Sequence, residues 1–232
     1  MKISVNQNRL QSEIDSLAVI TEAEPPVVTR VLFSEADLRG RAFVKNLCRE
    51  AELKIREDAV GNIFSRWEGS KKNLPPVATG SHIDAIPNAG KYDGVVGVLG
   101  AIEAIRALKK FGFQPKRSIE LIVFTSEEPT RFGIGCLGSR LLGGMLSLEK
   151  AAKLRDRDGK DLEFWRKQGG CKGVLDSVRL PRIPMPRLSS CTSSKGRFSK
   201  RKTCPSASSR KSPRQARCGS GSPAWVAMRA RC

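Results

Sequence analysis

The sequence predicts an α/β fold in which helices cover both faces of a sheet. Apolar residues recur at helical spacing in three segments, and short apolar runs typical of buried strands lie between them. Acidic residues and a histidine follow two of these strand-like runs. In folds of this class, functional residues lie at the carboxyl ends of the strands. We therefore expect a functional site at one edge of the sheet.

The predicted helices span residues 8–19, 35–53 and 95–111. In each segment the apolar side chains fall three or four residues apart, which places them on one helix face. Gly112 follows the last segment and favours a helix stop there. All three segments therefore read as amphipathic helices that pack on the sheet.

The predicted strands lie in residues 54–70, 75–80 and 118–125. The first of these segments has short apolar stretches on either side of Gly61-Asn62, which suggests two strands joined by a turn. The other two are short apolar runs of the kind found in buried strands. Because these runs alternate with the helices, we expect a sheet of partly parallel character.

The charge of the chain is unevenly distributed. The 232 residues include 42 Lys and Arg against 23 Asp and Glu, and the last acidic residue is Asp176. Residues 181–232 contain thirteen Lys or Arg and four of the seven cysteines, without helical or strand periodicity. We expect one globular domain over residues 1–181 and a disordered basic tail over residues 182–232.

Several classes of protein are disfavoured by composition. The chain has neither an apolar run long enough for a membrane span nor a recognisable leader, so as written it is expected in the cytosol. The widely spaced Cys48, Cys136 and Cys171 fit reduced thiols. A nucleic-acid-binding role for the tail is the alternative from another class. With only Phe198 and Trp225 as aromatic residues, the tail would bind nucleic acid at most nonspecifically.

The candidate site centres on His82, the only histidine of the chain. It follows a strand, and Asp84 could hold one ring nitrogen so that the other faces a metal ion. Asp93 lies between glycines in a loop before a helix, where one carboxylate can bridge two cations. Glu127 and Glu128 end another strand, so one could bind metal while the other accepts a proton.

Each of these residues also has a purely structural interpretation. A lone histidine after a strand is more often a hydrogen-bonded core or surface residue. Asp93 beside glycine suits a turn, and the two glutamates before Pro129 could cap a helix. Cys136 is more readily a buried thiol than a nucleophile, because no second histidine could activate it. The joint pattern carries the argument for function.

Two segments, TGSHIDAIPNAGKYDGVVGVLGAIEAI and IVFTSEEPTRFGIGCLGSRLLGG, resemble the metal-dependent amidohydrolases of ureidoglycolate, allantoate and N-carbamoyl amino acids. These enzymes are relatives of the two-metal aminoacylases and exopeptidases. HIDAIPNAGKYDG with SEEPTRFG is most similar to the plant ureidoglycolate amidohydrolases, and the resemblance covers roughly residues 8–181. It implies an α/β/α sandwich catalytic domain, present here in its N-terminal part, and a homodimerisation domain that this chain lacks.

The resemblance also implies roles for the site residues. His82, Asp93 and Glu128 would bind two divalent ions, with Asp93 as the bridge. Glu127 would be the general base, and Asp84 would support His82. In the plant enzymes the expected metal is manganese, with zinc as an alternative, and the products are glyoxylate, ammonia and carbon dioxide. The same relatives suggest the endoplasmic reticulum as an alternative compartment.

Two motifs expected after residue 181 are absent from the chain but can be read in another frame. Permitted codons for residues 190–202, read one base earlier, encode ELHIEQG, and residues 225–232 give GGHAG in the same register. We infer a frame change at about residues 181–183, whether by splicing, a genomic lesion or a gene-model error. The expected product is a truncated hydrolase with a partial metal site and negligible activity of its own.

Overall fold

The computed structural model describes residues 3–180 and the backbone of residues 188–190. A five-stranded sheet is formed by β2 (Lys54–Glu57), β3 (Ile63–Trp67), β4 (Val77–Ser81), β6 (Ile119–Val123) and β7 (Leu188–Ser190). The strand order is β2-β3-β6-β4-β7. The pairs β2–β3 and β3–β6 are antiparallel, whereas β4 is parallel to both β6 and β7. The predicted α/β sheet is confirmed, and its parallel part is the half that contains β4.

Helices pack on both faces of this sheet. The long helices are α1 (Gln7–Ala18), α2 (Glu35–Glu50) and α3 (Val95–Lys110), and the short ones are α4 (Leu137–Leu142), α5 (Leu148–Ala152) and α6 (Leu162–Gln168). Alternate strand residues point to opposite faces, so Leu121 packs with the long helices and Ile122 packs with the short ones. The two apolar cores give the α/β/α sandwich expected from the resemblance.

The ends of α2 show why the predicted helices form and where they stop. The Ser34 side chain accepts the N–H of Asp37, and the Asp37 carboxylate accepts the N–H of Phe33 at 2.8 Å. At the other end, Glu52 has a positive φ of 55° and the N–H of Leu53 returns to the carbonyl of Cys48. This left-handed turn ends α2 at Glu50, before the predicted boundary at residue 53.

Some elements were not predicted. A two-stranded antiparallel sheet pairs β1 (Val28–Arg30) with β5 (Ala85–Ala89), and α4 to α6 follow an irregular segment after Pro129. No helix begins at Pro129, so the helix-capping interpretation of the glutamates is wrong. The strand Leu188–Ser190 lies within the predicted tail of residues 182–232. The rest of that tail, and residue 181 before it, lie outside the described residues.

No helix in the described ranges has the length and apolar character needed to cross a bilayer.

Candidate active site

Parallel pairing of β4 and β6 brings the two predicted site segments to one sheet edge. Ser81 is in register with Val123, and the N–H of Phe124 donates to the carbonyl of Ser81 at 2.8 Å. His82 follows Ser81 directly, and Glu127 lies four residues beyond Val123. The sheet edge therefore juxtaposes the histidine segment and the glutamate segment, as their positions after strands predicted.

The Asp84 carboxylate joins these two segments. Its Oδ1 accepts the backbone N–H of Glu127 at 3.1 Å, and its Oδ2 accepts the N–H of Glu128 at 2.9 Å. The same residue contacts His82, because its backbone oxygen lies 3.0 Å and its Oδ1 lies 3.5 Å from Nδ1. Asp84 is buried, so these contacts are shielded from water. Asp84 thus occupies the Nδ1 side of the ring and leaves Nε2 to face Glu127.

The His82 ring lies among carboxylates in a buried environment. Burial lowers the pKa of His82, but the hydrogen bond to Asp84 and the charges of Asp84 and Glu127 outweigh it and raise this pKa to about 9. A proton favoured on the ring must leave before Nε2 can bind a cation. The negative potential that holds this proton is the kind of environment that also attracts a metal ion.

Of the two adjacent glutamates, Glu127 has side-chain contacts with the histidine segment. Oε2 of Glu127 lies 3.5 Å from Nε2 of His82, and its Oε1 is 3.5 Å from the Cys136 thiol, which can donate to it. Burial, followed by the charge of Glu127, raises the pKa of Glu128. Glu127 is therefore the carboxylate beside the ring in this structure, and the ligand and base roles of the two glutamates stay a prediction.

Asp93 and Gly94 form the turn that precedes α3 and lies against the His82 ring. Asp93 is half-buried, and its charge is among those that raise the pKa of Glu128. A Cβ on Gly94 would lie 2.5 Å from Nε2 of His82, and Gly94 has a φ of +66°. Only glycine fits this position, because a side chain would fill the space beside the ring nitrogen.

A divalent cation fits part of this arrangement. Imidazole nitrogen and carboxylate oxygen are suitable donors, and the space left by Gly94 adjoins Nε2. Within residues 3–180, however, no cluster of three or more such donors is close enough to enclose an ion. The described residues alone therefore do not enclose a metal ion.

Cys136 has the properties expected of an unreactive thiol. It is half-buried, and burial together with the charge of Glu127 raises its pKa to about 11. The thiolate that a nucleophilic cysteine requires is therefore disfavoured at neutral pH.

Two supporting residues were missed in the sequence. Asn62 is fully buried, and its side chain accepts the N–H of Thr125 at 2.9 Å and donates to the Gly138 carbonyl at 3.3 Å. It thereby fixes the end of β6 just before the glutamates. Arg30 on β1 donates to the carbonyl of Ile83, between His82 and Asp84. For Asn62 the only signal in the sequence was its place in a predicted turn. For Arg30 there was no signal.

Known proteins place this arrangement in a family. Residues 62–154 match the model of peptidase family M28. Ureidoglycolate hydrolase from Arabidopsis thaliana is 60% identical over 162 residues, which are 70% of this chain and 34% of that protein. Allantoate amidohydrolase from Bacillus subtilis is 35% identical over 178 residues, covering 76% of this chain and 43% of that protein.

A solved structure shows the same fold. The crystal structure of AtUAH in complex with glyoxylate matches with a TM-score of 0.74 and 54% identity, covering 77% of this chain and 44% of that one. The chain spans about a third of the length of the plant relatives, at 34% and 33%. On this shared sequence and fold, the matched part of the chain belongs with the amidohydrolases that include the ureidoglycolate hydrolases, the allantoate amidohydrolases and the N-carbamoyl-L-amino-acid amidohydrolases.

Proposed function

We propose that this chain carries one side of the metal centre of a ureidoglycolate hydrolase, an enzyme of purine and allantoin catabolism. The observation that carries the proposal is the double hydrogen bond from the Glu127 and Glu128 amides to Asp84, which is itself against His82. The identity of 60% with the Arabidopsis thaliana ureidoglycolate hydrolase supports that substrate over others. The complete reaction would convert ureidoglycolate to glyoxylate, ammonia and carbon dioxide.

In the proposed centre, His82, Asp93 and Glu128 would hold two divalent cations, with Asp93 as a ligand of both. Manganese is the proposed metal, and zinc is the alternative. When bound, the cations would supply Lewis acidity to the hydrolysis. Glu127 would accept a proton from the attacking water, and the contact of its amide with Asp84 would hold its backbone in place.

The chain alone is proposed to have negligible activity. Its described residues supply no group of three donors, so a cation would keep most of its water shell and bind weakly. Further ligands would have to come from outside the described residues. For the compartment, the sequence as written predicts the cytosol, and the resemblance to the plant enzymes suggests the endoplasmic reticulum as the alternative.

The decisive experiment joins residues 1–180 to the remaining part of the Arabidopsis thaliana relative. We expect this chimera to hydrolyse ureidoglycolate with manganese, and we expect Glu127→Gln to reduce kcat by a factor of about 10² to 10⁴. The unmodified 232-residue chain, assayed in parallel, should show no turnover above background. Turnover by the unmodified chain equal to that of the chimera would refute the proposed incompleteness.

Allantoate or an N-carbamoyl amino acid is the alternative substrate, because relatives of this chain carry those names. The chimera should therefore be assayed with all three substrates at equal concentration. A preference for allantoate or the carbamoyl amino acid would replace ureidoglycolate in the proposal. Loss of all three activities, in a chimera that folds and dimerises, would reject the function itself.

A further inference from the structure

Arg30 is a buried arginine whose hydrogen bonds go to backbone carbonyls. Only 1% of the residue is exposed to solvent. Nε donates to Ile20 O at 3.1 Å, Nη2 donates to Leu17 O at 2.7 Å and Ile20 O at 2.9 Å, and Nη1 donates to Ile83 O at 2.5 Å. A buried guanidinium is costly, and here the fork geometry of arginine connects three carbonyls from two separate segments.

Two of these carbonyls belong to the end of α1. Leu17 lies in its last turn, and Ile20 lies two residues beyond its end at Ala18. Carbonyls at a helix C-terminus lack intrahelical partners and carry partial negative charge, so a cation is favoured there. The guanidinium is thus anchored on a helix that packs against α3 in the core.

The third carbonyl belongs to the candidate active site. Ile83 stands between His82 and Asp84, so a hydrogen bond to its oxygen fixes the peptide unit that joins Ile83 to Asp84. The direction of that peptide sets where the Asp84 carboxylate points. Since Asp84 holds the amides of Glu127 and Glu128, the effect of Arg30 extends to the glutamate segment.

Gly40 on α2 provides the room that this arrangement needs. A Cβ at Gly40 would lie 3.1 Å from Cδ and 3.2 Å from Nε of Arg30. These distances are shorter than ordinary van der Waals contact, and Arg30 is enclosed on all sides. Gly40→Ala would therefore press on the end of the Arg30 side chain without removing its charge.

We propose that Arg30 is a positioning residue for the His82–Asp84 segment, acting through the Ile83 carbonyl, and that Gly40 keeps the space in which it does so. The expected effect on metal binding rests on the proposed function. The expected effect on the geometry of the His82–Asp84 segment does not.

The test uses the full chain and the ring signals of His82, which are unambiguous because His82 is the only histidine. Arg30→Lys retains a charge, but its single ammonium nitrogen cannot occupy the separate positions of Nε, Nη1 and Nη2 from which Arg30 donates. We expect its His82 ring carbon–proton cross-peaks to shift and broaden relative to the unsubstituted chain. If manganese binds the chain, we expect its affinity to fall by about tenfold or more in the variant.

Arg166→Lys is the matched control. Arg166 is equally buried and also donates to backbone carbonyls, those of Ala59 and Gly173, but it lies on α6 and contacts neither His82 nor Asp84. Its substitution should lower the unfolding temperature while leaving the His82 signals unchanged. Gly40→Ala, which keeps both arginines, should shift the His82 signals. It serves as the test variant if Arg30→Lys does not fold.

Unchanged His82 signals in a folded Arg30→Lys or Gly40→Ala chain would overturn the inference, as would equal shifts in Arg166→Lys. A chain that binds no manganese, combined with an inactive chimera, would instead reject the proposed function. In that case the ring signals of His82 still decide whether Arg30 positions the His82–Asp84 segment.

Discussion

The Asp84 carboxylate accepts the backbone N–H of Glu128 at 2.9 Å, across the gap between the ends of β4 and β6. The paired residues of the parallel strands β4 and β6 end at Ser81 and Val123. Beyond that point the Asp84 side chain provides hydrogen bonds between the two segments. Its position two residues after His82 means that one carboxylate orients both the imidazole and the acidic pair.

Replacing Asp84 tests this relationship through stability. Asp84→Ala removes two charge-assisted hydrogen bonds and leaves two amides with fewer partners, so the free energy of unfolding should fall by about 3 kcal/mol. Urea unfolding followed by circular dichroism measures it. Asp15→Ala, which breaks an exposed contact with Lys91, should change little. Equal effects of the two substitutions would contradict the structural role of Asp84.

Gly94→Ala should lower the free energy of unfolding by more than the strain of its backbone conformation alone explains. Both Gly94 and Gly112 have positive φ, at +66° and +80°, but a Cβ meets nothing within 4 Å at Gly112 and meets the His82 ring at Gly94. Gly112→Ala should therefore lose about 1 kcal/mol of stability from strain, and Gly94→Ala should lose more and displace the ring. Thermal unfolding and the His82 ring signals measure the two effects. Similar losses with unmoved signals would show that the ring tolerates the extra methyl.

Asp37 should make stability depend on pH in the acid range. Burial raises its pKa to about 6 from 3.8, against the opposing charges of Arg41 and Arg30. Because the folded pKa is the higher one, the stability from Asp37 is fully present below pH 3.8 and is lost as the pH rises through about 6.

Asp37→Asn removes this dependence while keeping a side-chain oxygen for the Phe33 amide. Relative to this variant, the unsubstituted chain should lose up to about 3 kcal/mol between pH 4 and pH 7, as expected for a shift of about two pKa units. Urea titrations at several pH values give the difference, and the other carboxylates cancel because both chains share them. A constant difference across this range would show that Asp37 is not perturbed.

Much of the candidate site could be predicted because its residues are signalled locally. His82 and the two glutamates follow strand-like apolar runs, and residues at the carboxyl ends of parallel strands meet at one edge. The turn at Gly61 and the stop at Gly112 were also local signals, and both glycines have positive φ. These predictions required no knowledge of distant contacts.

The remaining features depend on contacts that no local pattern encodes. Arg30 and Ile83 are separated by 53 positions, and Asn62 and Thr125 by 63. β1 has three residues and the helices after Pro129 have five to seven, so neither repeats its apolar spacing often enough to be recognised in the sequence. Tertiary packing rather than propensity stabilises such elements.

A final prediction concerns the coding transcript. In the neighbouring frame, ELHIEQG starts at the junction of codons 189 and 190, and its histidine falls across codons 191 and 192. An imidazole is a metal donor, and the described residues supply too few donors to enclose an ion. We expect the transcript sequenced across residues 181–183 to encode ELHIEQG and GGHAG in that frame. Codons that encode neither motif would leave the basic tail as a sequence of its own, and a missing metal ligand could not be assigned to it.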